Sequence, residues 1–169
     1  MYFEDFNIHN ISTDIGKAFI KELSYLLERL NPPFLNKEKI KITCRLENNE
    51  EYIKIYLPHK TKRILDLLIE HGEIDSTVEL ANANFDFQEY GDDNDRIEDV
   101  VSLVSKIMQT TIEVHTFYKG KKIVKRQPYF VSNEGSKEPF QTSFQNLLTL
   151  INPFLIVKNV VERGSFLRE

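Results

Sequence analysis

The chain has no tryptophan, one cysteine, six glycines and six prolines in 169 residues. The lone Cys44 cannot form an internal bridge, which excludes a disulfide-stapled fold. The opening Met1-Tyr2-Phe3-Glu4-Asp5-Phe6 carries early acid and no apolar run, so no secretory signal is expected there. Both features point to a cytoplasmic protein. No stretch approaches the roughly 18 consecutive apolar residues of a membrane span, so no membrane partner is expected. The glycines are scattered singly. A glycine-rich phosphate loop, a dinucleotide fingerprint and a Gly-x-Ser-x-Gly elbow are all missing. His9, His59, His71 and His115 share no metal-ligand spacing, so neither a metal nor a cofactor is expected.

What is present suits a globular protein. Hydrophobic residues make up 41% and charged residues 28%, too apolar a mixture for a disordered chain. Twelve Phe and seven Tyr supply the aromatic surface of a real core. The length fits one globular domain over 1–169, with the polar stretch 132–141 as a flexible loop. The net charge of −4 weighs mildly against general nucleic-acid affinity.

Periodicity assigns the elements in order. Residues 1–11 read as an extended arm or edge strand with Phe3, Phe6 and Ile8 available to pack. Ser12, Thr13 and Asp14 offer N-cap side chains, and Ile15, Phe19, Leu23, Leu26, Leu27 and Leu30 then recur at helical steps. Asn31-Pro32-Pro33 stops that helix. Lys39 to Leu46 and Glu51 to Leu57 alternate strictly and form an antiparallel hairpin with one wet face. Thr61 to Glu70, dense in Ile and Leu and followed by Gly72, reads as a short helix. Ser76 to Tyr90 reads as one strand. Its apolar parity switches between Leu80 and Ala81, which is what a bulge would leave.

The stretch Asp95 to Val131 is the best-patterned unit, a helix followed by strands Thr111 to Tyr118 and Ile123 to Val131. A two-residue turn at Gly120-Lys121, of type II′, would place Ile112, Val114, Tyr118, Ile123 and Tyr129 on one face. Glu113, His115, Phe117, Val124 and Arg126 would take the other. Thr142 to Ile151 has a capping box and a helical stripe. Phe154 to Glu162 fits a helix or a strand. The sum is an α+β fold, a mostly antiparallel four- to five-stranded sheet with about four helices packed on it.

Three groups of residues could carry function. Asp86, Glu89, Asp92, Asp93, Asp95, Glu98 and Asp99 put seven carboxylates beside a single Arg96. Counting from Asp92, the sixth and twelfth positions are Ile97 and Leu103, so a calcium loop fails. What remains is a solvated loop favouring a helix N-terminus, or a surface that docks a basic protein. Lys119, Lys121, Lys122, Lys125 and Arg126 form a basic hairpin tip beside Phe117, Tyr118 and Tyr129. Such a tip protects an edge strand from aggregation or contacts nucleic acid. Glu113 and His115, two apart on one strand face, could act as a general acid/base pair. Cys44 falls on the apolar parity of its strand, as an inert thiol would.

No catalytic signature emerges. The leading expectation is therefore a non-enzymatic cytosolic protein-interaction module. One concrete form is an immunity or antidote-type inhibitor that binds a basic toxin or nuclease through its acidic loop. Nucleic-acid binding through the basic tip ranks second, and an enzyme with a site near Glu113 and His115 third.

Overall fold

The computed structural model describes Phe3 and residues 11–47, 50–87, 92–140 and 157–167. Its fold is α+β, built from two antiparallel sheets and two helices. Helix α1 spans Asp14–Leu30 and α2 spans Asp93–Gln109. The first sheet is a meander of β1 (Lys41–Glu47), β2 (Glu50–Leu57), β3 (Leu67–His71), β4 (Ser76–Leu80) and β5 (Ala83–Phe87), in that spatial order. The second contains β6 (Thr111–Lys119), β7 (Lys122–Val131), β8 (Lys137–Pro139) and β9 (Val157–Gly164), ordered β8-β7-β6-β9.

Helix α1 begins where its sequence offers caps. The Thr13 side chain accepts from the Gly16 amide at 3.1 Å, which satisfies one of the helix's unpaired N-terminal donors. Glu51 on β2 reinforces this end from outside. Its carboxylate accepts from the amides and hydroxyls of both Ser12 and Thr13, at 2.6 to 3.1 Å. Burial pushes the Glu51 carboxyl up, but the four hydrogen bonds together hold it below its ordinary value. At the other end Asn31 takes a left-handed conformation, φ 40°, just before Pro32-Pro33.

The meander is two-faced. Its inner rows, such as Ile42–Ile55–Ile69–Val78–Phe85 in register, face a core that includes Phe19, Leu23 and Leu27 of α1. An outer row, Thr43–Lys54–Glu70–Thr77–Asp86, is polar, and Arg45 and Lys54 both reach Glu70 there, at 2.6 and 3.4 Å.

Four expectations change. The helix count of about four is not met; two helices exist among the described residues. The stretch 61–70 holds a 3-10 turn at Arg63–Leu65 followed by strand β3. Its dense Ile and Leu are a central strand flanked by β2 and β4, and such a strand needs no helical period. The parity switch after Leu80 is a hairpin turn rather than a bulge: Ala81 and Asn82 both have positive φ, 55° and 63°, as a type I′ turn demands. The strands also divide into two sheets instead of one.

Other stretches settle more simply. Val157–Gly164 is a strand, the alternative its β-branched residues allowed. The stretch read as a loop from 132 contains β8 and a turn closed by Ser132 and Ser136, whose hydroxyls lie 2.6 Å apart. The capping-box helix at 142–151 lies outside the described residues, as do Phe6 and Ile8.

Candidate interaction surfaces

Hairpin β6–β7 carries the basic tip, and a single residue decides its geometry. Only Gly120 of the two turn residues has positive φ, 61°, so the turn is type II′ as expected. The pairing starts as Lys119↔Lys122 and Tyr118↔Ile123, then shifts to Phe117↔Lys125. Val124 is left over as a bulge. Every partner beyond it moves by one residue, which swaps the faces of β7. Phe130, not Tyr129, therefore opposes Ile112 in the core, while Tyr129 opposes Glu113. Arg126 leaves the His115 face and donates to the Asn82 side chain in the β4–β5 turn. The apolar doublet Ile123-Val124, which breaks the alternation, is the sequence signal for this bulge.

Glu113 is 3% exposed and sits at the centre of a cation cluster. Lys137 from the segment after β7 donates to one carboxylate oxygen, and Arg163 of β9 donates to the other through Nε at 3.1 Å and through its terminal nitrogen. His115 Nε2 lies 2.7 Å from the first oxygen. The Lys137 bond lowers the carboxyl most. Burial opposes it, and the Arg163 and His115 bonds assist, leaving the pKa at about 2. The expected Glu113–His115 pair is thus made, but both ring nitrogens are engaged, since Asn159 Nδ2 lies 3.2 Å from Nδ1. A carboxyl held near 2 is a weak base, and this arrangement suits a structural anchor better than proton transfer. Lys137, Arg163 and Asn159 had no sequence signal, because they arrive from strands 24 to 50 residues away.

The acidic residues divide. Asp92 caps α2 by accepting from the Asn94 amide at 2.8 Å. Asp93 accepts from the buried Arg96 at 2.8 Å. The same guanidinium reaches the carbonyls of Gly72 and Glu73 at 3.2 and 2.5 Å, so the single arginine of the acidic run is an internal tie between α2 and the β3–β4 turn. Asp86 points to the outer face of the meander, where Thr77 donates to it at 3.0 Å. Glu89 lies outside the described residues. Asp95, Glu98 and Asp99 remain, exposed on α2.

Beside Asp99 runs an open groove of about 280 Å³, lined by Phe85 and Phe87 of β5 and by Asp99, Ser102, Leu103 and Lys106 of α2. Asp95, Asp99, Leu103 and Lys106 follow one another at three- and four-residue steps, with Ser102 beside Leu103, and form one stripe along the helix. The groove has an apolar floor, acid at one end and Lys106 at the other. Phe85, Phe87 and Leu103 meet the acidic run only in the folded chain, since strand β5 and helix α2 bring them together.

The basic residues also divide. Lys119, Lys121 and Lys122 are exposed at the tip, Lys125 lies half-buried beside Phe117, and Arg126 is turned toward Asn82. Cys44 is half-buried on the Ile42 face, where burial, and secondarily Glu51, raises its thiol pKa. No cluster of three or more metal-ligating side chains occurs among the described residues. No helix among them is long and apolar enough to cross a membrane.

No protein-family model matches this chain, and comparison with curated proteins and with solved structures found no significant match.

Proposed function

We propose that this chain is a non-enzymatic, cytosolic protein-interaction module that docks a basic protein partner on the α2 face. The observation that carries the reading is the β5–α2 groove: an apolar floor of Phe85, Phe87 and Leu103 bordered by Asp99, with Asp95 and Glu98 exposed on the same helix. Apolar centre with polar rim is the general anatomy of a protein interface. Exposed like charges along one helix speed the approach of an oppositely charged partner. The particular form we favour is an antidote-type inhibitor whose acid covers the cationic site of a toxin or nuclease. The free acids here are fewer than the sequence count suggested, because Asp92 and Asp93 serve the helix itself.

The test is co-expression with the product of the neighbouring reading frame, followed by calorimetric titration of the purified pair. Replacing Asp95, Glu98 and Asp99 by Asn, Gln and Asn should weaken binding by about tenfold at low salt, mainly through slower association. All three side chains are exposed, so circular dichroism should not change. A partner whose affinity survives this neutralisation, or the lack of any partner, would overturn the reading.

A further inference from the structure

We propose that the outward face of the second sheet is a binding platform for single-stranded nucleic acid, on the side of the molecule away from the acidic helix. Antiparallel register places partners on a common face. Glu113 with Tyr129 and Arg163, His115 with Gln127 and Val161, and Phe117 with Lys125 and Asn159 therefore form successive ranks on one surface. The opposite face of the sheet turns inward. Ile112 and Val114 are fully buried there, and Lys106 of α2 sits over the Phe130 ring at 4.4 Å.

Three rings make the platform. His115 meets Tyr129 edge-on at 5.0 Å between centroids and stacks toward Phe117 at 6.3 Å. Each of the three is half-buried, held by its neighbours yet open on one side. The bulge at Val124 assembles this row, because without the one-residue shift Tyr129 would face the core.

Charge completes the match. Lys125 lies beside Phe117, and the exposed Lys119, Lys121 and Lys122 continue past the Phe117 end of the row. Glu113, at the other end, is buried and already bonded to Lys137 and Arg163, so it presents no free negative charge. A line of cations leading onto rings is what phosphates followed by unstacked bases require. A duplex keeps its bases stacked and would offer the rings nothing. An acidic polypeptide would engage the lysines but would have no general need of the rings.

The experiment is fluorescence anisotropy of the full chain with labelled oligodeoxythymidine roughly 20 nucleotides long, beside a duplex of equal length, over a range of salt. The single strand should bind more tightly than the duplex, with affinity falling as salt rises. Reversing Lys121→Glu and Lys122→Glu should weaken binding about tenfold and flatten the salt dependence. Phe117→Leu and Tyr129→Leu should each cost about fivefold or more while leaving the salt slope unchanged. Lys125→Glu probes the same face without touching a ring, should a ring variant fold poorly. No binding at low salt overturns the proposal. So does equal binding of single strand, duplex and heparin with no response to Phe117→Leu or Tyr129→Leu, since that is attraction between polyelectrolytes alone.

Discussion

Arg163 of β9 faces Glu113 of β6 in register across the sheet and donates to its carboxylate, with Lys137 and His115 completing the shell around that one buried acid. Two segments distant in sequence, β8 and β9, therefore converge on one side chain of β6.

Removing that charge should loosen the second sheet. Glu113→Gln leaves Arg163 and Lys137 without their counter-ion. Both cations are 41% or more exposed and can recover water, so the expected loss is about 1–3 kcal/mol rather than the larger cost of a fully buried pair. The pH dependence has a definite sign. The folded pKa, about 2, lies below the ordinary 4.5, so the stabilisation is complete above pH 4.5 and disappears as pH falls toward 2. Urea unfolding of wild type and variant should give curves that converge over that window.

His71 should produce a second acid-sensitive window at higher pH. It is 2% exposed, stacked on Phe19 at 4.2 Å, and bonded to Ser76 at 2.7 Å, while its Nε2 has no partner among the described residues. Burial, followed by the nearby Arg96 charge, lowers its pKa from 6.5 to about 4. The unfolded chain then binds the proton first, so stability is full above pH 6.5 and falls on the order of 3 kcal/mol by pH 4. Burial also lowers the His59 pKa, so the diagnostic quantity is the difference between wild type and His71→Leu, which should shrink steadily across this range.

Gly16 should resist a substitution that usually helps a helix. Gly→Ala within a helix normally gains about 1 kcal/mol. Here the new methyl would stand 2.7 Å from Ile11 Cγ2 and 2.8 Å from Ile53 Cδ1. Thermal unfolding of Gly16→Ala should show a net loss of about 1–3 kcal/mol from overpacking. A stabilised variant would mean that α1 does not pack this closely on β2.

Ala81 should discriminate between side chains by backbone shape. It is 6% exposed and has φ 55°. Ala81→Gly relieves the left-handed strain but loses a buried methyl, and should change stability by less than about 1 kcal/mol. Ala81→Val adds β-branching at that conformation and should destabilise by about 2 kcal/mol or more. Similar denaturation midpoints for the two variants would argue against a type I′ turn at this position.

Local patterns are legible in the sequence because their causes are local. The cap at Thr13, the stop at Asn31-Pro32 and the three- and four-residue stripe of α1 lie within a few residues of one another. So does the alternation of β1 and β2. The hairpin turn at Gly120 needed only one glycine and two flanking strands. Stretches whose character comes from their neighbours are not legible in this way. Leu67-Leu68-Ile69 has no decisive period of its own, and β2 and β4 make it a strand. Ala81-Asn82 carries no glycine to mark its turn, and the parity switch there matches the pattern a bulge leaves, whereas the bulge at Val124 lies between residues of ordinary strand character.

The candidate surfaces divide in the same way. Which residues are acidic, basic or aromatic is written in the chain, and so is the likelihood that they cluster by sequence position. Their destinations are not. Asp93 turns to Arg96 one helical turn on, Asp86 to Thr77 on the neighbouring strand and Arg126 to Asn82 in the other sheet, and the last two depend on how strands pair and pack. The sequence by itself determined the α+β class, helices α1 and α2 and the strands β1, β2, β6 and β7, because hydrophobic period and capping act over a few residues. Only the tertiary structure decided that Glu113 would be ringed by cations, that Tyr129 would join His115 and that Phe85 and Leu103 would line one groove. Those outcomes rest on strand register and long-range packing, where a shift of one residue exchanges one face for the other.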